Sequence, residues 1–392
     1  MPVEMRSFNP KRDSDEIGAL VKLAFGDWGG TGYADHLRKL GKSEWKNERC
    51  LVEDGRIVAY LAIRPKEMYI GQSLLRMAGI AAVCTHPSVR MKGYGRLLFD
   101  DTVQFMKKDG YDLSILYGIP NYYHKFGYEV VMARHFITVP QEEIPAQPPQ
   151  LKRTAAVTKD MRAICALYNS MTCGRDGNCK RFGMGTRKGF FKLTDKRGRI
   201  LAYAIWHPAE GTMLVNEAIS VDACAAKELL RACRAIAWRE GLDHLNIQMP
   251  HGYPVTDLLR GMNSIYHRGN TNRRGCMGRL INLTTLAREM HLEWSALLGR
   301  SEFASRSGRL ALAVGGEVLR MNYSKGRVKT SVSTGKAASR VTPERFMQMV
   351  HGYRSIADLA GDCDVSFARS DVRLLEVLFP ERNSFLFVPD HF

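Results

Sequence analysis

The chain has 392 residues, which is larger than a single hydrophobic core usually grows, so two or three domains are expected. Its apolar share of 45% is ordinary for a globular protein, and no apolar run reaches the ~18–20 residues of a membrane-spanning helix. The N-terminal segment lacks the apolar stretch of a secretory signal, and the nine cysteines are odd in number and scattered. A cytoplasmic protein without a disulfide framework or membrane partner is therefore predicted.

Residues 1–145 alternate between strand and helix patterns and are predicted to form an α/β domain with a mixed sheet. Apolar residues at helical spacing predict a helix over Ser14–Ala24, with Asp13 or Ser14 as its N-cap. Another helix is predicted over 95–107. The predicted strands cover residues 5–8, 56–63, 67–75, 78–85 and 113–117. A segment with three prolines, residues 141–150, has the composition of a linker and marks the first boundary.

Residues 146–284 repeat this alternation, so a second α/β domain is predicted. It lacks a glycine-rich turn between strand and helix, and no cofactor is expected there. Residues 285–392 contain three short predicted strands followed by helical segments, a pattern that favours a third domain of the α+β class.

The strongest chemical signal is the turn between the strand 78–85 and the helix 95–107, which contains Arg90-x-x-Gly93-x-Gly95. Glycines let backbone N–H groups approach a ligand closely, and a helix N-terminus adds free donors and the positive end of its dipole. Together with the charges of Arg90, Lys92 and Arg96, this turn is predicted to bind a pyrophosphate. The dinucleotide and P-loop glycine motifs are absent. A tight basic turn without a ligand remains the alternative.

The second signal is Tyr123-x-Lys125-Phe126-Gly127-Tyr128, which follows the next predicted strand. The two motifs, R-x-x-G-x-G and Y-x-K-F-G-Y, lie about thirty residues apart, and the pair resembles the GNAT family of N-acetyltransferases. The whole chain most closely resembles the Eis-type (enhanced intracellular survival) acetyltransferases of that family. The resemblance implies tandem GNAT-like mixed-sheet domains, 1–145 and 146–284, followed by a sterol-carrier-protein-like α+β domain, 285–392. It also implies acetyl-CoA as cosubstrate, an amine acceptor and a homohexamer.

The resemblance assigns roles to individual residues. Tyr123 is the expected general acid for the leaving thiolate, although both Tyr122 and Tyr123 are also plausible core aromatics. On an extended segment Tyr122 would point away from it. The carboxylate of the last residue, Phe392, is expected to accept the amine proton or to hold the ammonium group; a disordered tail is the alternative. The expected acetyl-CoA contacts are Val83, Cys84, Thr85, Arg90, Met91, Lys92, Gly93, Tyr94, Gly95, Arg96, Gly118 and Ile119.

The acceptor is the least determined part of the prediction. The resemblance places Asp27 and Trp28 in the acceptor pocket, where they would bind an ammonium and stack on a sugar or cation; a helix end with a packing anchor is equally compatible. The family acetylates polycationic aminoglycosides and lysine side chains, whereas this chain has a net charge of +17. An acidic pocket made of Asp27, Asp390 and the C-terminus would reconcile the two. An anionic or neutral amine is the other option.

The positive charge is concentrated in residues 151–200, with thirteen Lys and Arg against three Asp. Within it, the basic run Arg175–Arg199 also contains Phe182, Phe190 and Phe191, a mixture that suits single-stranded nucleic acid or another polyanion. A polyanion-binding protein with a vestigial transferase domain is therefore the alternative function. Cys173 and Cys179, with Asp176 between them, lack the further ligands of a structural zinc site, and no metal is predicted.

Overall fold

The computed structural model describes residues 3–271 and 274–392, without the side chains of residues 28–30. In chain order, the strands are β1 (Val3–Ser7), β2 (Glu48–Glu53), β3 (Arg56–Ile70), β4 (Ser73–Thr85), β5 (Leu113–Gly118), β6 (Glu129–Val130), β7 (Arg134–Pro140), β8 (Lys152–Ala155), β9 (Cys179–Lys180), β10 (Phe190–Thr194), β11 (Ile200–Ala209), β12 (Thr212–Ser220), β13 (His244–Ile247), β14 (Ile265–Gly269), β15 (Gly275–Leu280), β16 (Ser307–Val314), β17 (Glu317–Ser324), β18 (Arg327–Thr334) and β19 (Ser339–Val341). The α-helices are α1 (Pro10–Gly30), α2 (Tyr33–Arg38), α3 (Tyr94–Lys108), α4 (Met161–Thr172), α5 (Ala223–Glu240), α6 (Pro254–Leu258), α7 (Leu283–Gly299), α8 (Pro343–Val350), α9 (Ile356–Leu359) and α10 (Val372–Leu378).

The strands form three sheets. The first has the order β1-β2-β3-β4-β5-β15-β6, with β9 attached to β3. The second has the order β14-β7-β13-β12-β11-β10-β8, and the third has the order β18-β17-β16-β19. All three mix parallel and antiparallel pairs, and helices cover them, so the predicted mixed α/β fold is confirmed.

The first two sheets exchange strands. β7 precedes the predicted boundary at residue 145, yet it lies in the second sheet between β14 and β13. β15 precedes the boundary predicted at residue 284, yet it lies in the first sheet between β5 and β6. Neither predicted boundary therefore separates one sheet from the next. The proline-rich segment marks a true interruption of regular structure, but the composition of a linker does not reveal which sheet the preceding strand joins.

Two local predictions were wrong. Helix α1 begins at Pro10, and its N-cap is Asn9, whose side chain accepts a hydrogen bond from the Lys11 N–H group. The predicted caps serve other purposes, since Asp13 binds the Arg6 guanidinium at 2.6 Å and the Ser14 hydroxyl donates to the Pro10 carbonyl at 2.7 Å. The strand predicted over 67–75 spans the hairpin turn between β3 and β4. The apolar alternation continues across that turn, which hides it from the sequence pattern.

That hairpin turn joins all three parts of the molecule. The Gly71 N–H group donates to Asp176 at 2.7 Å, and the Gln72 N–H group donates to Glu293 on α7 at 2.7 Å. The Arg382 guanidinium binds both carboxylates, at 2.7 and 2.6 Å. Gly71 has a φ of 53°, and a Cβ there would lie 1.9 Å from the Glu293 carboxylate. The C-terminal segment after α10 is thereby held against the first sheet.

Within the described residues, no helix is both long and apolar enough to cross a bilayer.

Candidate active site

Strands β4 and β5 diverge. They pair in parallel only from Met77 to Gly79 with Leu113 to Ile115, although β4 continues to Thr85 and β5 to Gly118. β4 is irregular where they part, since its register with β3 shifts near Ala82, which has a φ of 50°. Beyond Gly79, the edge of β4 that faces β5 therefore has no strand partner, and its backbone groups are available to a ligand.

The predicted acetyl-CoA contacts fall along this gap. Val83, Cys84 and Thr85 end β4 on one side, and Gly118 ends β5 on the other, followed by Ile119, which is 58% exposed. Cys84 is buried, and burial raises the pKa of its thiol to about 12, so it is present as a neutral thiol. The structure thus brings together two groups of residues that lie more than thirty positions apart in the chain.

The turn that precedes α3 has the features of an anion site. Gly93 is the N-cap of α3 with a φ of 84° and without a side-chain cap. For the N–H groups of Gly93, Tyr94 and Gly95, the structure records no hydrogen-bond acceptor among the described residues. Met91 has a φ of 68° and a fully exposed side chain. Free N–H groups at a helix N-terminus are the donors that a phosphate requires.

The three basic side chains of this turn are not equivalent. Arg90 is exposed and forms no recorded ion pair with a described residue. Lys92 lies 3.4 Å from Glu53, which also accepts a hydrogen bond from the Tyr94 hydroxyl, so part of its charge is offset. The Arg96 guanidinium lies over the Phe126 ring, 5.6 Å from its centroid. Arg90 and Arg96 are therefore the charges most available to a pyrophosphate.

The segment with the two tyrosines forms a 3₁₀ turn, not the extended segment that was expected. The rings of Tyr122 and Tyr123 are perpendicular, with centroids 5.0 Å apart. Tyr122 reaches the pyrophosphate turn, since a Cβ on Gly95 would lie 2.8 Å from its hydroxyl. Tyr123 instead packs edge-on against Phe99 at 5.7 Å.

Tyr123 lies at the open end of β5. A Cβ on Gly118 would lie 3.2 Å from its ring, and only 8% of the residue is exposed. Burial, reinforced by the neighbouring phenol of Tyr122, raises the pKa of Tyr123 above its usual value. No hydrogen bond from its hydroxyl to a described residue is recorded. The phenol therefore stays protonated at neutral pH and has a proton to donate.

The C-terminal residue lies against the same gap. Gly79 is the last position at which β4 pairs with β5, and a Cβ there would lie 2.4 Å from the Phe392 ring. The ring therefore occupies the space that a side chain at Gly79 would fill. Among the described residues, the structure records no Lys, Arg or His nitrogen within 4.0 Å of the terminal carboxylate.

A buried ion cluster, which the sequence pattern does not predict, holds this tail. Arg181 hydrogen-bonds Asp390 at 2.9 and 2.8 Å and Glu217 at 2.7 and 2.6 Å. The Tyr168 hydroxyl donates to Asp390 at 3.0 Å. Asp390 is 2% exposed. Lys66 Nζ lies 3.8 Å from Asp390 as well, so Arg181 and Lys66 together offset the charges of Asp390 and Glu217. Asp390 therefore adds no free negative charge to the expected acidic pocket of Asp27, Asp390 and the C-terminus.

The predicted acceptor residues have a weaker position. Asp27 follows a kink in α1, where Gly26 has a φ of 69°, and it forms an exposed ion pair with Lys22 at 2.9 Å. The hydrogen bond and charge of Lys22 lower the pKa of Asp27. The side chain of Trp28 lies outside the described residues, so its predicted role is not addressed by the structure.

A second polar network, which the sequence pattern also does not predict, lies on the face of the first sheet against which Phe392 packs. Buried Glu48 on β2 accepts hydrogen bonds from Arg64 and from the Tyr60 hydroxyl, and the Tyr33 hydroxyl lies 2.9 Å from that of Tyr60. Arg64 is the β3 partner of Gly79, so its side chain projects from the sheet face against which Phe392 packs. The Arg64 guanidinium forms an ion pair with the Glu48 carboxylate, which offsets its charge. The sequence did contain a signal for this network, because a charged residue stands at a position within the regular alternation of a strand.

The basic run Arg175–Arg199 is not a continuous surface of cations and aromatics. Arg181 is buried in the ion cluster, and Phe190 and Phe191 are buried in β10, at 3% and 6% exposure. Phe182 alone of the three phenylalanines is exposed, at 79%. The alternation of basic and aromatic residues that favoured a polyanion site in the sequence therefore does not form one continuous surface in the folded chain. Within the described residues, no group of three or more His, Cys, Asp or Glu side chains is arranged to hold a metal.

Comparison with known proteins agrees with this geometry. Residues 4–131 match the family model of the acetyltransferase (GNAT) domain. Over the full length of both chains, the fold is similar to that of a GCN5-related N-acetyltransferase from Anabaena variabilis ATCC 29413, with a TM-score of 0.76 and 17% identity. It is also similar, again over both full chains, to Eis1 from Mycobacterium abscessus, with a TM-score of 0.68 and 12% identity. No curated protein matches the sequence.

Proposed function

Because residues 4–131 form a GNAT acetyltransferase domain, we propose that the chain transfers the acetyl group of acetyl-CoA to a primary amine by direct attack. The gap between β4 and β5 is the observation that supports this most directly. Free backbone groups of β4, the turn before α3, Tyr123 and the ring of Phe392 all lie around this one opening, which supports the proposal.

The chemistry assigns each group a task. The amine nitrogen attacks the thioester carbonyl, the C–N bond forms, and the C–S bond breaks to release the CoA thiolate. Tyr123 gives this thiolate its proton: the phenol is protonated at neutral pH, and the burial that raises its pKa also disfavours an ionised thiolate beside it. The proton lost by the amine passes to the Phe392 carboxylate directly or through water; because no recorded cation pairs with this carboxylate, it is free to hold the ammonium.

Binding of acetyl-CoA follows from the same residues. Val83, Cys84 and Thr85 offer backbone groups to the pantetheine arm, and Gly118 and Ile119 contact it from β5. The N–H groups of Gly93, Tyr94 and Gly95 bind the pyrophosphate, with the charges of Arg90, Lys92 and Arg96 around it and the exposed Met91 beside it. Asp27 and Trp28, near the end of α1, remain proposed acceptor contacts.

The activity is tested by following free thiol release from acetyl-CoA with a panel of amines: aminoglycosides, lysine peptides, polyamines and small neutral or acidic amines. Tyr123→Phe removes only the hydroxyl and is expected to lower kcat by about 10²–10⁴-fold while acetyl-CoA binding is kept. Tyr122→Phe is the matched control, because it removes the neighbouring hydroxyl without removing the proton donor. Absence of turnover with every amine, together with no rise in Tm on adding acetyl-CoA, would refute the proposal.

The resemblance to Eis-type enzymes extends the proposal to the whole chain. We propose a cytoplasmic homo-oligomer, a hexamer by that resemblance, with a sterol-carrier-protein-like third unit. Its three units follow the limits 1–145, 146–284 and 285–392, except that β7 belongs to the second sheet and β15 to the first. The four-stranded sheet packed on α7 supports a third unit, and α7 also packs on β4, so this unit shares a hydrophobic core with the first sheet. Light scattering coupled to size-exclusion chromatography measures the oligomer, and a monomeric mass at assay concentration contradicts that part.

A further inference from the structure

A cavity of about 410 Å³ lies between the first sheet, the second sheet and the C-terminal tail. Its lining includes Tyr117, Arg134, His135, Arg274, Phe385 and His391. This volume lies within the range of small-molecule sites, roughly 300–1,000 Å³.

The cavity adjoins the proposed site of acetyl transfer. Tyr117 directly precedes Gly118 at the open end of β5, and Gly275 in the cavity wall is the β15 partner of Gly118. The Tyr117 ring packs against His391 with centroids 3.8 Å apart, and His391 is the residue before the terminal Phe392. A molecule in the cavity therefore lies next to the β5 side of the gap and against His391, the residue before Phe392.

The charge of the cavity is positive. Arg134 and Arg274 are exposed at its border, and neither forms a recorded ion pair with a described residue. No Asp or Glu is found among the described residues of the lining. Such a site repels a polycation and attracts an anion.

The rest of the wall is aromatic or neutral. Tyr117, Phe136 and Phe385 present ring surfaces. His135 is 4% exposed, its Nδ1 lies 2.5 Å from the Tyr266 hydroxyl, and burial lowers its pKa to about 4. The imidazole is therefore neutral at pH 7 and adds a polar edge without charge. The two arginines are the groups that select the ligand.

Building on the proposed acetyltransferase function, we propose that this cavity binds the acceptor, and that the acceptor is a primary amine with a carboxylate and an aromatic or apolar body. The planar guanidinium of arginine matches a carboxylate with two parallel hydrogen bonds. The aromatic wall removes the body of the ligand from water. An acceptor held in this way presents its amine toward the gap while its carboxylate stays at Arg134 and Arg274.

Matched pairs of amines that differ only in the carboxylate test this directly: phenylalanine with phenethylamine, tyrosine with tyramine, and lysine with cadaverine. We expect kcat/KM to be at least about tenfold higher for the member with the carboxylate. Arg134→Gln and Arg274→Gln should each reduce that ratio, and the double variant should bring it close to one. Phenethylamine, tyramine and cadaverine should react equally well with all variants.

Arg327→Gln on the edge strand of the third sheet is the control, because it removes the same charge from an exposed residue that does not line the cavity and should leave every ratio unchanged. Turnover that is equal or faster with the decarboxylated amines overturns the inference but leaves the transferase function intact.

If no amine in the panel reacts, the binding of acetylated products tests the inference instead. Calorimetry with CoA-saturated protein then compares N-acetylphenylalanine with N-acetylphenethylamine. Tighter binding of N-acetylphenylalanine, with the difference lost in the double arginine variant, supports the inference. Equal binding of the two compounds, or no binding of either, overturns it. The proposed function fails separately, by the absence of turnover together with no effect of acetyl-CoA on Tm.

Discussion

The guanidinium of Arg181 holds Asp390 by two hydrogen bonds, of 2.9 and 2.8 Å, although the two residues are 209 positions apart. Asp390 lies two residues before Phe392, whose ring packs at Gly79. Arg181 directly follows β9 of the first sheet and also binds Glu217 on β12 of the second, so contacts with both sheets determine where the end of the chain lies. The proposed proton acceptor depends on this ion pair for its position.

Removing Arg181 should be costly. Arg181→Met leaves Asp390 and Glu217 buried without their cation, and the loss of one partner of a buried pair costs about 3–5 kcal/mol of the free energy of unfolding. Urea denaturation measures it. Arg373→Met, which removes an exposed arginine paired with Glu302, is the control and should cost less than about 1 kcal/mol.

The milder Asp390→Asn variant separates stability from positioning. It keeps the shape of the side chain but loses the charge that Arg181 binds. We expect kcat to fall while the KM for acetyl-CoA is unchanged, because the tail and not the pyrophosphate turn has moved. An unchanged kcat in a folded Asp390→Asn protein would show that the ion pair does not position the terminus.

Gly79→Ala should reproduce the loss of the C-terminal residue. Its Cβ would lie 2.4 Å from the Phe392 ring, so the ring must leave its place and take the carboxylate with it. We expect kcat to fall by about tenfold or more in both Gly79→Ala and the chain ending at His391, with little further loss in the double variant. Steady-state kinetics on the best acceptor measures this. Additive losses would show that Gly79 acts independently of the terminus.

Gly95 and Tyr122 should be energetically coupled. A Cβ on Gly95 would lie 2.8 Å from the Tyr122 hydroxyl, so Gly95→Ala displaces that ring and weakens acetyl-CoA binding. Tyr122→Phe removes the clashing oxygen and should restore part of the affinity in the double variant. Calorimetric titration with acetyl-CoA gives the coupling energy, expected at about 0.5–2 kcal/mol. Strictly additive effects would place the Tyr122 hydroxyl elsewhere.

Buried His351 should make stability depend on pH. It is fully buried, and burial together with the charge of Arg382 lowers its pKa to about 3. The folded protein keeps this ring neutral while the unfolded chain protonates near pH 6.5, so stability is full above that pH and falls as the pH drops toward 3. The slope from this residue is about 1.4 kcal/mol per pH unit.

Urea denaturation between pH 7 and pH 4.5 measures that slope. His351→Leu should flatten it, since neither ring nitrogen has a recorded hydrogen-bond partner among the described residues and the apolar replacement loses none. His244→Gln, at an exposed position, is the control and should keep the wild-type slope. An unchanged slope in His351→Leu would assign the pH dependence to other groups, of which buried His135 is the first candidate.

The sequence by itself was sufficient for the parts of the molecule that depend on neighbouring residues. Apolar spacing located helix α3 to within one residue at each end, and the glycines at 93 and 95 marked a turn that the structure shows with a positive φ and free N–H groups. A helix face, a tight turn and a free helix N-terminus are all formed within a few positions of the chain. A short window of residues is therefore sufficient to predict these features.

Only the tertiary structure decided which strands share a sheet, which charges are buried and where the chain ends. β7 and β15 joined sheets on the far side of the predicted boundaries, Arg181 became a buried anchor instead of a surface cation, and Phe392 packed onto Gly79. Each of these outcomes is a contact between residues that are more than a hundred positions apart or between whole strands. Such pairings are selected by the total burial and hydrogen bonding of the folded chain, and no local pattern of residue types encodes them.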